Sequence, residues 1–341
     1  MRKSGKFSWQ WVGLFLGVSA APALAGFSTY GLGMDVETGS VSNAALHVQV
    51  VNNLWNSTSV SGSPTNTYTN DFAGVACDNY AKAWLVTTIY GGSNLNTAKI
   101  TAKVNGSTVA DLTVGNAGSV NDANANVYGS SVTGIWVLSL PVNPAYLHTN
   151  GSADTVSVVV SNKTTGATAP FDGRTYYQAL VTISQSTSLT NTLDYAFAAG
   201  GGDIGTSSGY VTSRTLNLGA ISSSDITQAD LYATYIYGDA GQNDALLLNG
   251  TSLLGNDVAT KNGTANYPAD FVHAGLSSTN LLSTNNLLKF TVDSADVSGG
   301  ESSLRPELAV LGVTHPVPEP ASLAVLALGG LTLLNNRRAR K

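Results

Sequence analysis

With one cysteine in 341 residues, Cys77, no disulfide can close within this chain. The common role of such a residue is a small buried apolar side chain. A free thiol or an intermolecular bridge is the alternative, and no lipobox-like cleavage site precedes Cys77 to attach a lipid. Charge is scarce as well: Asp, Glu, Lys and Arg make up 11% of the residues, with Ser, Thr, Asn and Gly in their place. Seven of the 16 basic residues, but one of the 21 acidic ones, lie in the two chain ends, so the body between them is acidic. That excludes electrostatic binding of nucleic acid or anionic lipid. Long stretches with helical periodicity are missing. His47, His148, His273 and His315 stand singly, without the spacing of a metal site. No metal ligand set is expected.

What the chain does have begins at its ends. Met1-Arg2-Lys3-Ser4-Gly5-Lys6, the apolar "WVGLFLGVSAAP" and the small-residue step Ala23-Leu24-Ala25 form a secretory signal peptide, residues 1–25, with cleavage marked by Ala23 and Ala25. At the other end Pro318-Glu319-Pro320 precedes a mostly apolar stretch, Ala321–Leu334, and then Arg337, Arg338, Arg340 and Lys341. Roughly 20 apolar residues span a bilayer comfortably, so this stretch is a marginal single hydrophobic segment. The basic residues after it act as a stop that stays cytoplasmic, leaving the body outside. The three-part tail, 317–341, resembles the PEP-CTERM sorting signal of exopolysaccharide-producing Gram-negative bacteria. That resemblance implies recognition by an exosortase-type sorting enzyme and cleavage near the Pro-Glu-Pro; the signal peptide implies Sec export, and the apolar segment a transient residence in the inner membrane. A plain single-span anchor is the simpler alternative.

The body reads as all-β. "ALHVQVV", "AWLVTTIYG", "AKITAKV", "TVSVVV", "YQALVTI", "ADLYATYIYG", "LLKFTV" and "ELAVLGV" alternate or run apolar between Gly, Asn, Ser and Asp, at the spacing of a sandwich. The halves repeat. "AWLVTTIYGGSNLNTAKITAKVNGST" parallels "ADLYATYIYGDAGQNDALLLNGTS", which sets Tyr90-Gly91 against Tyr237-Gly238 and Asn105-Gly106 against Asn249-Gly250. Each Asn-Gly step predicts a type I′ hairpin, because both central residues of that turn need positive φ. Further on, "FDGRTYYQALVTI" with Arg174 parallels "SSLRPELAVLGV" with Arg305. An insertion in the first copy belongs in "VGNAGSVNDANANVYGSSVTG". The expected architecture is two tandem, jelly-roll-like β-sandwich domains, 27–186 and 187–316, joined at "SQSTSLTNT". "FDGRTYYQALVTI", "LDYAFAAGGGDIG" and the "YGG…VNG" hairpin are similar to a tandem β-domain of unknown function in envelope proteins of archaea and some bacteria. The resemblance implies a surface location and no chemistry.

Candidate chemistry is thin. Gly205-Thr206-Ser207-Ser208-Gly209 matches the G-x-S-x-G nucleophile elbow, but "YVTSRTLNLG" after it reads as a strand where the elbow requires a helix. A glycosidase needs two carboxylates flanking the scissile bond, and among Glu37, Glu301, Glu307 and the aspartates no pair stands out. Asp239, Asp244 and the loop 121–126 offer oxygen ligands for Ca²⁺ without the EF-hand pattern; solvated turn residues are the plainer account. Trp55, Trp84 and Trp136 either line a sugar-stacking face or, as their strand contexts suggest, belong to the core. Arg174 pairs most simply with Asp172. The expectation is therefore an exported, non-enzymatic cell-surface or matrix protein without a cofactor. A carbohydrate-binding module for exopolysaccharide is the alternative, and a secreted hydrolase the third.

Overall fold

Where the sequence alternates, the chain is a strand buried on one face; where it runs continuously apolar, the strand is buried on both. The computed structural model describes residues 35–317 apart from 53, 56–64, 92–96, 116–125, 131–133, 164–170, 206–210, 237–243, 255–268 and 293–303. Ten strands come first: β1 (Asp35–Ser42), β2 (Ala44–Asn52), β3 (Asn66–Phe72), β4 (Asn79–Tyr90), β5 (Thr97–Val104), β6 (Ser107–Gly115), β7 (Asn126–Ser130), β8 (Ile135–Pro141), β9 (Asp154–Ser161) and β10 (Arg174–Gln185). Eight follow: β11 (Asn191–Ala199), β12 (Ser213–Asn217), β13 (Gln228–Ile236), β14 (Asp244–Leu248), β15 (Thr251–Ser252), β16 (Asp270–Gly275), β17 (Leu287–Val292) and β18 (Arg305–Pro316). The chain is all-β, and its antiparallel ladders form four sheets in two sandwiches.

The repeat is visible in the strand order. The inner sheet of the first sandwich runs β2-β10-β4-β8-β7 and that of the second β1-β11-β18-β13-β16. The outer sheets run β3-β9-β5-β6 and β12-β17-β14-β15. Apart from β7 and β1, each strand of one half has its counterpart at the same place in the other. β7 falls inside the segment expected to carry the insertion. Strand β1, from the N-terminal end, pairs along its length with β11 of the second half, then crosses to β2 through Asn43, whose φ is 54°.

Both Asn-Gly hairpins form as their sequence requires. Asn105 and Gly106 have φ of 48° and 81°, Asn249 and Gly250 of 52° and 84°. The two turns are braced alike. Asn105 Oδ1 accepts from the Thr155 amide, and its Nδ2 donates to Asp154 and to the Tyr146 carbonyl. Asn249 Oδ1 accepts from the Leu287 amide, and its Nδ2 donates to Asn286 and to the Asn280 carbonyl. One register differs from the motif alignment: Tyr90 faces Arg174 while Ile236 faces Arg305, so Tyr90 corresponds to Ile236 and not to Tyr237. A single-residue shift matters in a strand because it exchanges the two faces.

Three apolar cores stack through the molecule. Leu85, Ile100, Leu112, Leu138 and Val158 fill the first sandwich; Leu216, Leu231, Leu246, Phe290 and Leu311 fill the second. A third core, with Trp84, Val86, Val181, Phe197, Leu308 and Val310, lies between the two inner sheets. The order of layers is thus outer, inner, inner, outer. This explains the contrast between "TAKITAKV", buried at every second residue on β5, and β10 or β18, buried almost throughout. The hairpin turns and the 186–190 connection gather at one pole of the stack; β10 and β18 start, and β4 and β13 end, at the opposite pole.

Candidate functional site

Polar and aromatic side chains concentrate between the inner sheets and toward the pole where β10 and β18 begin. Both strands bulge just past their leading arginine. On β10 the register against β4 shifts between Thr175 and Gln178, and on β18 the register against β13 shifts at Thr234/Tyr235, leaving Glu307 over. A bulge re-aims side chains that a regular strand would alternate, and here it brings Glu307 and Tyr177 into the space between the halves.

Glu307, fully buried, accepts a hydrogen bond from Thr88 Oγ1 on β4 of the other half. Burial pushes its carboxyl up to about 8, against the opposing pull of Arg305 and Thr88. A neutral Glu307 fits the neighbouring geometry. Arg305 Nη1 donates to Asp203 Oδ1 at 3.3 Å, whereas Arg305 Nε stands 3.5 Å from Glu307 Oε1, too far for a good hydrogen bond. Arg305 lies flat against Gly201, where a Cβ would come within 2.7 Å of Nε. Thr234, which holds the place in the second half that Thr88 holds in the first, faces the Tyr177 hydroxyl without a well-formed bond. Burial raises the Tyr177 hydroxyl well above its ordinary value. Through the Thr88–Glu307 hydrogen bond this cluster links the halves.

Arg174 meets the expectation of an ion pair. Its Nε and Nη2 fork onto Asp172 Oδ1 and Oδ2, both at 2.7 Å, and Gly173 at φ 79° makes the turn between them. The guanidinium also stacks over Trp55 at 3.8 Å from the ring centroid. Trp55 in turn stacks on Tyr176, centroids 4.5 Å apart. Deeper in the seam Trp84 stacks on Phe197 at 4.5 Å and 10°, and its Nε1 donates to Glu37 Oε2 on β1. Lys82 and the Tyr195 hydroxyl share the other oxygen of Glu37. Trp136 is buried in the first core. All three tryptophans are therefore packing groups: Trp84 and Trp136 on strands, as their contexts implied, and Trp55 just past the end of β2.

The aromatic row with open sides is one the sequence did not mark. Tyr232 on β13 and Phe271 and His273 on β16 lie parallel, Tyr232 to His273 at 4.5 Å and 7°, Tyr232 to Phe271 at 6.1 Å and 6°. Two rings side by side in one plane cannot bring their centroids as close as 4.5 Å, so Tyr232 and His273 overlap face to face. His273 Nε2 is 2.7 Å from Asp230 Oδ1, and half of its side chain is exposed. Period-2 reading places Tyr232 and His273 on one face each of their strands, but only the pairing of β13 with β16 makes them neighbours.

The remaining histidines are apart. His47 bonds Ser184 and is held below its ordinary pKa by burial. His148 meets Asp154, and His315 meets Asp194. Among the described residues no group of three His, Cys, Asp or Glu is placed to hold a metal. Asp244 is buried at the start of β14, whereas Asp239 and residues 121–125 lie outside the described residues. Ser207 and Glu301 do too, although Gly205 bonds Val211 and the chain then enters β12, a strand and not the helix of a nucleophile elbow. Cys77 is half-buried against the first core, and burial raises its thiol pKa. The signal residues Ala23 and Ala25, the tail residues Pro318, Glu319 and Pro320, and Arg337, Arg338, Arg340 and Lys341 all lie outside the described residues. Within them no helix is long and apolar enough to cross a membrane.

No family model and no curated protein matches the chain. Solved structures do. A glycosyl hydrolase family 2 member from Bacteroides cellulosilyticus is 13% identical over 68% of this chain and 24% of that one, with a TM-score of 0.23. The chain thus spans about a quarter of that enzyme's length. A peptide-N(4)-(N-acetyl-β-D-glucosaminyl)asparagine amidase is 9% identical over 81% of this chain and 97% of that one, TM-score 0.27. A conserved protein of unknown function from Pseudomonas aeruginosa is 8% identical over 82% and 99%, TM-score 0.26. The functional reading rests on the chain's own residues.

Proposed function

We propose that the chain is an exported, non-enzymatic surface or matrix protein, carried out by its signal peptide and sorted through its C-terminal tail. One observation carries the reading of the body. The side chains best suited to chemistry or sugar stacking (Trp55, Trp84, Arg305, Glu307) stand between layers, where they join two sandwiches into one block. The tail supplies the rest: Pro318 and Pro320 fix φ, lack amide donors and resist helix continuation, so the knot is suited to recognition as an extended segment. Ala321–Leu334 delivers it to the inner membrane and the basic end stops it there. In a host with the matching exosortase, replacing Pro318-Glu319-Pro320 by three alanines should hold full-length protein in the inner membrane. If that variant is processed and exported like the parent, the sorting reading fails.

A second reading, exopolysaccharide binding, draws on Tyr232, Phe271, His273 and Asp230. Half of the His273 side chain is exposed in that row, while Asp230 holds the row with both oxygens engaged, Oδ1 by His273 and Oδ2 by Gln228. Affinity electrophoresis in the host's exopolysaccharide tests it: retardation of the parent, lost in Tyr232→Ala, supports binding, and unretarded migration of the parent refutes it.

A further inference from the structure

We infer that the hairpin pole of the body is the surface that meets the membrane while the tail is still attached, its partner being the lipid headgroup layer. The inference deepens the membrane-tethered reading above and rests on it. Three observations combine. First, the described body ends at Val317, whose amide bonds the Thr190 carbonyl at the hairpin pole. Second, β18 is the central strand of its sheet, and that sheet is an inner layer of the stack. The chain therefore leaves near the middle of the pole, not from its rim. Third, only Pro318-Glu319-Pro320 separates Val317 from Ala321, the first residue of the apolar segment.

The reach of that tether follows from covalent geometry. Four residue steps, fully extended, span at most about 14 Å. The polar layer of a bilayer is roughly 5–8 Å deep on each side of the hydrocarbon. A body held within that reach by a central tether has little room to tip, so its hairpin pole stays against the headgroups. Leu282 and Leu287, 46% and 44% exposed, stand on this pole beside the Asn249 turn. Asp78 and Asp225 share the pole and repel anionic headgroups, so the covalent tether and not charge enforces the contact. The opposite pole, with Arg174, Trp55 and the start of β1, then faces away from the membrane. Cleavage at the knot releases the contact without any change in the body.

Site-directed fluorescence on the chain without its signal peptide, residues 26–341, in vesicles of phosphatidylcholine and phosphatidylglycerol tests this. In a Cys77→Ser background, an environment-sensitive dye is placed through Leu282→Cys at the hairpin pole or Val211→Cys at the other, with spin-labelled headgroups as quencher. Leu282→Cys should be quenched several-fold more than Val211→Cys. A long Gly/Ser insertion between Val317 and Pro318 should abolish the difference while the protein still floats with the vesicles. Equal quenching at both positions, or quenching at 282 that survives the insertion, overturns the inference while leaving the tethered reading intact. A chain that does not float with vesicles refutes the tethered reading, and the inference with it.

Discussion

Replacing Glu307 by Gln should change how the stability of the body depends on pH. The carboxyl has no exposed surface, and burial lifts it from 4.5 to about 8 in the folded protein. In the unfolded chain it returns to the ordinary carboxylate value. Between those limits the folded state holds a proton that the unfolded state has lost. The contribution is therefore fully present below about pH 4.5 and is lost as pH rises through about 8. A shift of that size is worth about 5 kcal/mol at most, at 1.36 kcal/mol per unit. That value already contains the opposing pull of Arg305 on the charged form, so a loss of several kcal/mol, about 5 at most, between about pH 5 and 9 is the working expectation. Gln is neutral throughout and keeps an oxygen for Thr88. His47, held below its ordinary value, works in the opposite direction but is common to both proteins and cancels in the difference. Urea midpoints of parent and Glu307→Gln at about pH 5, 7 and 9 make the comparison. The variant should gain on the parent as pH rises and exceed it at the alkaline end. Parallel profiles would refute a protonated Glu307 at the seam.

Three further expectations concern packing and turns. Gly106→Val and Gly250→Val each force a β-branched residue to φ above 80° and should lower stability by about 1–3 kcal/mol; nothing lies within 4 Å of either Cβ, so an unchanged melting temperature would rule out the strain and not merely a clash. Trp84→Ala removes the ring stacked on Phe197 and the donor to Glu37, for a loss of about 3–5 kcal/mol in chemical denaturation; a loss under about 1 kcal/mol would mean the seam contributes little. Asp172→Asn leaves the Arg174 guanidinium without its carboxylate fork and should cost about 1–3 kcal/mol, with altered Trp55 fluorescence under the guanidinium; unchanged emission and melting would show that the fork does not hold the stack.

The sequence by itself determined β2, β4, β5, β9, β10, β13, β17 and β18, because period-2 alternation and Gly/Asn punctuation are local signals that need no partner; the polar β1 and β3 carry no such signal. It determined both Asn-Gly hairpins, since positive φ at two successive residues leaves few alternatives, and it exposed the duplication, because equivalent strands face equivalent neighbours. The expected signal peptide and sorting tail lie outside the described residues and rest on sequence alone. Tertiary structure decided the rest. Alternation says that Tyr232 and His273 lie on a face, but which strands are neighbours depends on long-range pairing. Tyr90 and Ile236 correspond because each faces the arginine that opens the neighbouring strand, a pairing that a match of the Tyr-Gly dipeptides does not reveal. Glu307 looked like one carboxylate among many; its raised pKa comes from two sheets closing over it. Strand β1 belongs by sequence order to the first half and by hydrogen bonding to the second. What the seam buries is a property of two surfaces meeting, and neither surface alone specifies it.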